Sequence, residues 1–146
     1  LPYAVNQDHV AAVEGRIVKF GKTAKATGCV KFGASSHIAR AILTVMEHDL
    51  KVRSAINFHY DPRIVEAFQR AGSKVSSFER RLEPLDTKSL EGRTLDWGIE
   101  EVMKRFGEVP DVIYDLGEVG KEPMLRVFGS SATETVKKAL KALSYP

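Results

Sequence analysis

Asp111-Val112-Ile113-Tyr114-Asp115, a glycine-containing run over residues 116–123, and then Met124-Leu125-Arg126-Val127-Phe128 closed by Gly129 form the stretch whose reading decides the fold. Both flanks carry the β-branched and aromatic side chains of strands, and the connection is too short for a crossover helix. They therefore form an antiparallel pair. Elsewhere strands and helical periods alternate, as in an α/β domain, but this closing hairpin and an early pair of strands exclude a purely parallel sheet. The expectation is a layered α/β domain with a mixed sheet.

Working outward, Ser131-Ala132-Thr133-Glu134 is a capping box opening a last helix that would bury Val136, Leu140 and Leu143. Before the hairpin, Thr94 or Asp96 caps a helix with Leu95, Ile99, Val102, Met103 and Phe106 inward, ended by Gly107. Residues 79–93 are charged, contain Pro84 and show no period, which predicts a long surface loop or lid. Residues 74–78 and 52–60 read as strands, separated by a helix that starts at Asp61-Pro62, buries Ile64, Val65, Phe68 and Ala71, and stops at Gly72. A helix over residues 38–48 places Ile38, Ile42, Val45, Met46 and Leu50 on one side. Nearest the start, Asp8 caps a short helix through Val13, and strands at residues 16–20 and 28–32 flank a turn at Gly21-Lys22-Thr23.

The 146 residues fit one domain, with enough apolar content for a core. Net charge is +3, with basic and acidic residues interleaved and no basic stripe carrying aromatics, which argues against nucleic acid. The basic excess sits early. Arg16, Lys19, Lys22, Lys25, Lys31 and Arg40 face only Asp8 and Glu14 before residue 41, which suits an anionic ligand. The single cysteine, Cys29, excludes an internal disulfide and a cysteine metal cluster, and is expected to be a buried small residue. No apolar run approaches the roughly 18 residues that span a bilayer, and no signal peptide is recognisable, so a cytoplasmic protein is expected. The chain starts at Leu1, and Leu1-Pro2-Tyr3-Ala4-Val5 reads like the middle of an element, which predicts that it was cut from a longer one.

Three polar clusters fall at strand ends or helix starts, where α/β domains gather ligands. In the first, Phe32-Gly33-Ala34-Ser35-Ser36-His37 feeds directly into a helix. Its unpaired N–H groups and dipole suit a phosphate, with His37 and Arg40 one turn apart on the same face; plain N-capping by Ser35 or Ser36 accounts for the same residues. The second is Asn57-Phe58-His59-Tyr60, where His59 is either a ligand or a satisfied, half-buried histidine. The third, residues 115–122, holds Asp115, Glu118 and Glu122 with Gly117, Gly120 and Lys121. It is either a Mg²⁺ and phosphate site or a hairpin turn with solvated charges. Ser76-Ser77 followed by Arg80 and Arg81 is either an anion contact or an ordinary strand exit with solvated arginines. Trp97 is core or interface; His9 and His48 belong on the surface. No Ser-His-Asp order, HExxH helix or redox cysteine pair is present.

Gly15-Arg16-Ile17-Val18, Phe32-Gly33-Ala34-Ser35-Ser36-His37-Ile38-Ala39-Arg40, Val75-Ser76-Ser77-Phe78-Glu79-Arg80, and Pro110-Asp111-Val112-Ile113-Tyr114-Asp115 with Gly117 and Gly120-Lys121-Glu122-Pro123-Met124 resemble the ThiN-type thiamine-phosphate synthase domain. The resemblance implies a single such domain over residues 1–146, folded as a three-layer α/β/α sandwich with a mixed sheet and related to class II sugar-phosphate aldolases. It implies fusion behind a hydroxymethylpyrimidine (phosphate) kinase, common in archaea, and allows a homo-oligomer. The implied reaction joins hydroxymethylpyrimidine diphosphate to hydroxyethylthiazole phosphate, giving thiamine phosphate and diphosphate, with Mg²⁺ implied by the diphosphate. Arg40, His59 and Lys121 are the implied catalytic residues. Gly33, Ala34, Ser35, Ser36, His37, Asn57, Ser76, Ser77, Asp115, Gly117 and Glu122 are the implied substrate contacts, Asp115 and Glu122 as metal or ring contacts. Similar domains also serve as non-catalytic thiamine-phosphate sensors in transcription regulators; the short helix expected near Asp8, with His37 and Arg40, favours the enzyme. An aldolase proper would need a histidine metal cluster, which the four scattered histidines do not make.

Overall fold

The structure, a computed structural model, describes residues 3–90 and 92–144; Leu1 and Pro2, part of the stretch read as an interrupted element, lie outside them. A 3-10 turn at Gln7–His9 leads to β1 (Ala11–Val13), β2 (Ile17–Phe20), β3 (Thr23–Ala26), β4 (Val30–Phe32) and α1 (His37–Met46). Then come β5 (Ser54–His59), α2 (Pro62–Arg70), β6 (Val75–Phe78), a 3-10 turn at Arg80–Leu82, α3 (Leu85–Lys88) and α4 (Arg93–Phe106). The chain closes with β7 (Val112–Asp115), β8 (Met124–Gly129) and α5 (Ala132–Leu143).

The main sheet has the order β5-β8-β7-β6. As the closing hairpin requires, β8 is antiparallel to both β5 and β7, whereas β6 and β7 are parallel. Thus β5, β6 and β7 all end at one edge, and β8 alone runs the other way. Alternation along the strands supplies two apolar faces. Phe78, Ile113 and Phe128 meet Ala41 and Val45 of α1 and Leu95, Ile99, Val102 and Met103 of α4. Val112, Leu125 and Val127 meet Val65 and Phe68 of α2 and Ala139 and Ala142 of α5. Helices therefore cover both sides of a mixed four-stranded sheet.

Helices α1 and α4 lie alongside one another in parallel. Thr44 Oγ1 donates to Asp96 Oδ1 at 3.1 Å and His48 Nε2 meets Glu100 Oε1 at 2.9 Å, two contacts with the same offset of 52 residues. A constant offset fixes the direction. Since α1 precedes β5 and α4 precedes β7, both helices present their amino ends at the edge where β5, β6 and β7 end.

Several expectations are corrected. No α-helix follows Asp8: Asn6 caps a 3-10 turn and the chain continues as β1, so the preference for an enzyme does not rest on that helix. The early strands do not pair with each other. The strand at residues 17–20 pairs with β3 across the Gly21-Lys22 turn, and β4 pairs with β1. The resulting arm leaves Ile17, Phe20, Val30 and Phe32 exposed, and Cys29 is exposed too. Leu50 is likewise outside the α1 stripe, Phe106, expected inward on the last turn of α4, is exposed, and the loop over residues 79–93 contains a 3-10 turn and α3. Helix α4 starts after Gly92, whose φ of 76° ends the preceding backbone, so Thr94 and Asp96 lie within the helix. Helix α5 is capped by Ser131 as expected, its Oγ accepting from Glu134 N at 3.1 Å. It buries Thr135, Ala139 and Ala142, however, and exposes Val136, Leu140 and Leu143.

Candidate active site

Register places a row of side chains across all four strands at the edge where three of them end: His59 on β5, Met124 on β8, Asp115 on β7 and Phe78 on β6. The next row down carries Asn57, Arg126, Ile113 and Ser76. Period-2 alternation puts both rows on the face covered by α1 and α4.

Asp115 is fully buried and binds two arginines. Its Oδ1 accepts from Arg80 Nε at 2.6 Å and from Gly117 N at 2.9 Å, and its Oδ2 accepts from Arg126 Nη1 at 2.8 Å. The side chains of Arg126 and Arg80 are 5% and 12% exposed. Burial pulls the Arg126 guanidinium below its usual pKa, opposed by the Asp115 charge. Charge-assisted bonds of this geometry hold both planes in fixed orientations. Arg126 also lies over the Phe78 ring, 5.9 Å from its centroid, and Trp97 meets that ring edge-on at 6.3 Å. The expectation of solvated arginines is overturned for Arg80 but fits Arg81, which is exposed and paired with Glu79.

Arg40 stands on the first turn of α1, half-buried, with its guanidinium packed against Gly92 so closely that a Cβ there would overlap it. One turn on, burial raises the Asp96 carboxyl, countered by the Thr44 hydroxyl and then by the Arg40 charge. The preceding loop is set by Gly33, whose φ is 71° and whose N–H donates to Val10 O at 3.1 Å; a Cβ at this glycine would stand 2.9 Å from Asp8 Oδ1. Ser35 Oγ accepts from Ile38 N at 3.4 Å, a long capping bond, and Ser36 makes no side-chain cap. Ala34 and Ser35 are half-buried, whereas Ser36 and His37 are exposed.

Two segments rise over this edge. In the β7–β8 connection, Gly117 has a φ of 72°, and Glu118 and Lys121 exchange backbone hydrogen bonds at 3.1 and 2.8 Å. Lys121 and Glu122 are exposed, and Tyr60 N ties the loop after β5 to Pro123 O at 3.1 Å. The second segment runs from Glu79 to Gly92 and is pinned at Asp115 by Arg80 and at Glu118 by Lys88. The Lys88 ammonium holds the Glu118 carboxyl below its usual range. Asn57 and His59 are exposed, Ser76 and Ser77 half-buried, and the Ser77 carbonyl accepts from Arg105.

Among the described residues, no three His, Cys, Asp or Glu side chains stand together as metal ligands. With its oxygens taken up by two guanidiniums and an N–H, Asp115 does not fit a protein-held Mg²⁺. Sequence reasoning missed the roles of Arg80 and Arg126. One signal was present: a lone arginine inside the apolar strand Met124-Leu125-Arg126-Val127-Phe128 requires a buried counter-charge.

Comparison with known proteins identifies the family of the chain. A family model described as thiamine-phosphate synthase ThiN matches residues 1–141. The chain is 40% identical over 136 residues to a thiamine-phosphate synthase ThiN of Methanothermobacter thermautotrophicus, covering 93% of this chain and 72% of that protein. It is also 40% identical over 140 residues to the bifunctional thiamine biosynthesis protein ThiDN of Methanocaldococcus jannaschii, 94% of this chain but 32% of that protein. Among solved structures, a C-terminal domain of phosphomethylpyrimidine kinase superposes with a TM-score of 0.90 at 50% identity, over 97% of this chain and 79% of that one. No helix among the described residues is long and apolar enough to cross a membrane. The chain belongs to the thiamine-phosphate synthase ThiN family.

Proposed function

We propose that the chain joins hydroxymethylpyrimidine diphosphate to hydroxyethylthiazole phosphate at the edge where β5, β6 and β7 end. The thiazole nitrogen attacks the pyrimidine methylene carbon; the C–N bond forms as the C–O bond to diphosphate breaks, releasing diphosphate and thiamine phosphate. No side chain has to become covalently bonded. The protein must align two rings and stabilise a departing polyanion, tasks for fixed cations and helix N–H groups.

The observation that carries this reading is Arg40, half-buried on the first turn of α1 and packed against Gly92, at the amino ends of two parallel helices. In our assignment Arg40 and residues 33–37 hold a phosphate, Lys121 neutralises charge on the leaving diphosphate, and His59 and Asn57 orient a ring. Ser76, Ser77, Gly117 and Glu122 complete the contacts. Asp115 acts at one remove by holding Arg80 and Arg126 in place. Mg²⁺ would come as the diphosphate's counterion. We further place this domain behind a hydroxymethylpyrimidine kinase domain in a cytoplasmic protein, supported by the bifunctional relative and the kinase C-terminal domain it superposes on. A relation of the layered fold to class II sugar-phosphate aldolases belongs to the same proposal. The test is formation of thiamine phosphate from the two purified substrates with Mg²⁺, wild type against Arg40→Ala. Undiminished turnover in the variant would remove Arg40 from the scheme.

A further inference from the structure

Glu83 ends the 3-10 turn after β6, its N–H bonded to the Arg80 carbonyl at 3.1 Å. The residue is 5% exposed, and neither carboxylate oxygen has a hydrogen-bond partner among the described residues. A buried acceptor without a donor is costly, and native proteins keep few of them without a functional reason.

Its place in the chain is fixed on both sides. Three residues earlier Arg80 is held by Asp115 at the end of β7; five residues later Lys88 is held by Glu118 in the β7–β8 loop; at the end of the segment Gly92 meets Arg40. Glu83 thus lies in the middle of the strap that crosses the substrate edge. The neighbouring carboxylates are satisfied: Glu79 pairs with Arg81, and Asp86 accepts from Thr87 N at 3.0 Å. Buried acceptors without partners among the described residues, the two oxygens of Glu83 fit hydrogen-bond donors on a ligand.

Resting on the synthase reading, the chemistry of the substrates narrows the donor. Phosphate and diphosphate groups are anions that a carboxylate repels, and the thiazole ring has no N–H. Only the pyrimidine carries a neutral N–H donor, its exocyclic amine beside a ring nitrogen. We propose that Glu83 recognises this edge of the pyrimidine diphosphate. One of the Glu83 oxygens accepts from the amine N–H. A carboxylate accepts and does not donate, so it suits this N–H and neither substrate's phosphate oxygens.

The test uses calorimetry and steady-state kinetics on wild type, Glu83→Leu and Glu83→Gln, with the pyrimidine diphosphate, the thiazole phosphate and a pyrimidine diphosphate lacking the exocyclic amine. Leucine removes both acceptors while keeping bulk, and should weaken pyrimidine binding about 10- to 100-fold. Thiazole phosphate KM should stay unchanged and thermal stability should hold or rise. Glutamine, whose amide oxygen can still accept from the amine, should restore part of the affinity. Wild type should lose the same factor on the amine-free analogue, and Glu83→Leu should not discriminate the two pyrimidines. Equal binding of both pyrimidines by wild type, or wild-type affinity in a folded Glu83→Leu, overturns the assignment while leaving the synthase reading intact. A wild-type chain that binds neither pyrimidine nor thiazole and forms no product overturns both.

Discussion

Asp115 holds Arg80 and Arg126 where water scarcely reaches, so its removal should act on stability as well as on turnover. Asp115→Asn leaves two guanidiniums facing one another without their counter-charge, and we expect about 3–5 kcal/mol of destabilisation in urea unfolding. A loss below about 1 kcal/mol would mean that the pair is not buried as described. Asp111 is a second carboxylate with a calculable consequence. Burial opposes its ionisation, but the Lys138 ammonium at 2.7 Å and the Lys74 N–H at 2.9 Å outweigh it, and its folded pKa is below the ordinary 3.8. A lowered folded pKa means that the unfolded chain binds the proton more readily. This stabilisation is therefore complete above the unfolded pKa and lost as pH falls through the folded one. Asp111→Asn should flatten the acid limb of a stability profile below about pH 4; an unchanged limb would show that Lys138 does not hold the carboxylate. Single residues were only partly legible in the sequence. Asp115 stood out at a strand end, but its partner Arg80 lies 35 residues away, and only strand register brings the two together.

The elements were legible where periodicity is strong, as in α2, α4 and the closing hairpin. Failure on α5 has a physical reason: the small side chains Thr135, Ala139 and Ala142 let the helix approach the sheet closely, and the larger Val136, Leu140 and Leu143 turn outward. A period of apolar residues does not say which of two adjacent faces is chosen. Two substitutions on this helix should consequently behave in opposite ways. Leu140→Gln should change stability by less than about 0.5 kcal/mol, whereas Ala139→Leu should cost about 1–3 kcal/mol by overpacking; thermal unfolding of both decides the face. For the strap over residues 79–92, the Lys88–Glu118 pair is the outer fastening. Lys88→Ala should lower global stability by no more than about 1 kcal/mol, yet it should speed amide exchange within the strap. Unchanged exchange there would show that Arg80 alone fastens it.

At the scale of the whole molecule, a single antiparallel strand inserted among three parallel ones produces the candidate site. It brings Arg126 beside Asp115 and gathers the carboxyl ends of β5, β6 and β7 with the amino ends of α1 and α4. That mixed topology was legible because residues 116–123 are too few for a crossover. The N-terminal arm was not, because its apolar strands are short, exposed and paired by turns that several registers would satisfy. The central claim is that this edge joins the two substrates and that Arg40 holds a phosphate there. Its most direct measurement is thiamine phosphate formation by the purified 146-residue chain and by its Arg40→Ala variant. We predict product from the wild type and a fall of about 100-fold or more in the variant, with the variant still folded by circular dichroism. Equal rates in the two proteins, or no product from a folded wild type supplied with both substrates and Mg²⁺, would contradict the account.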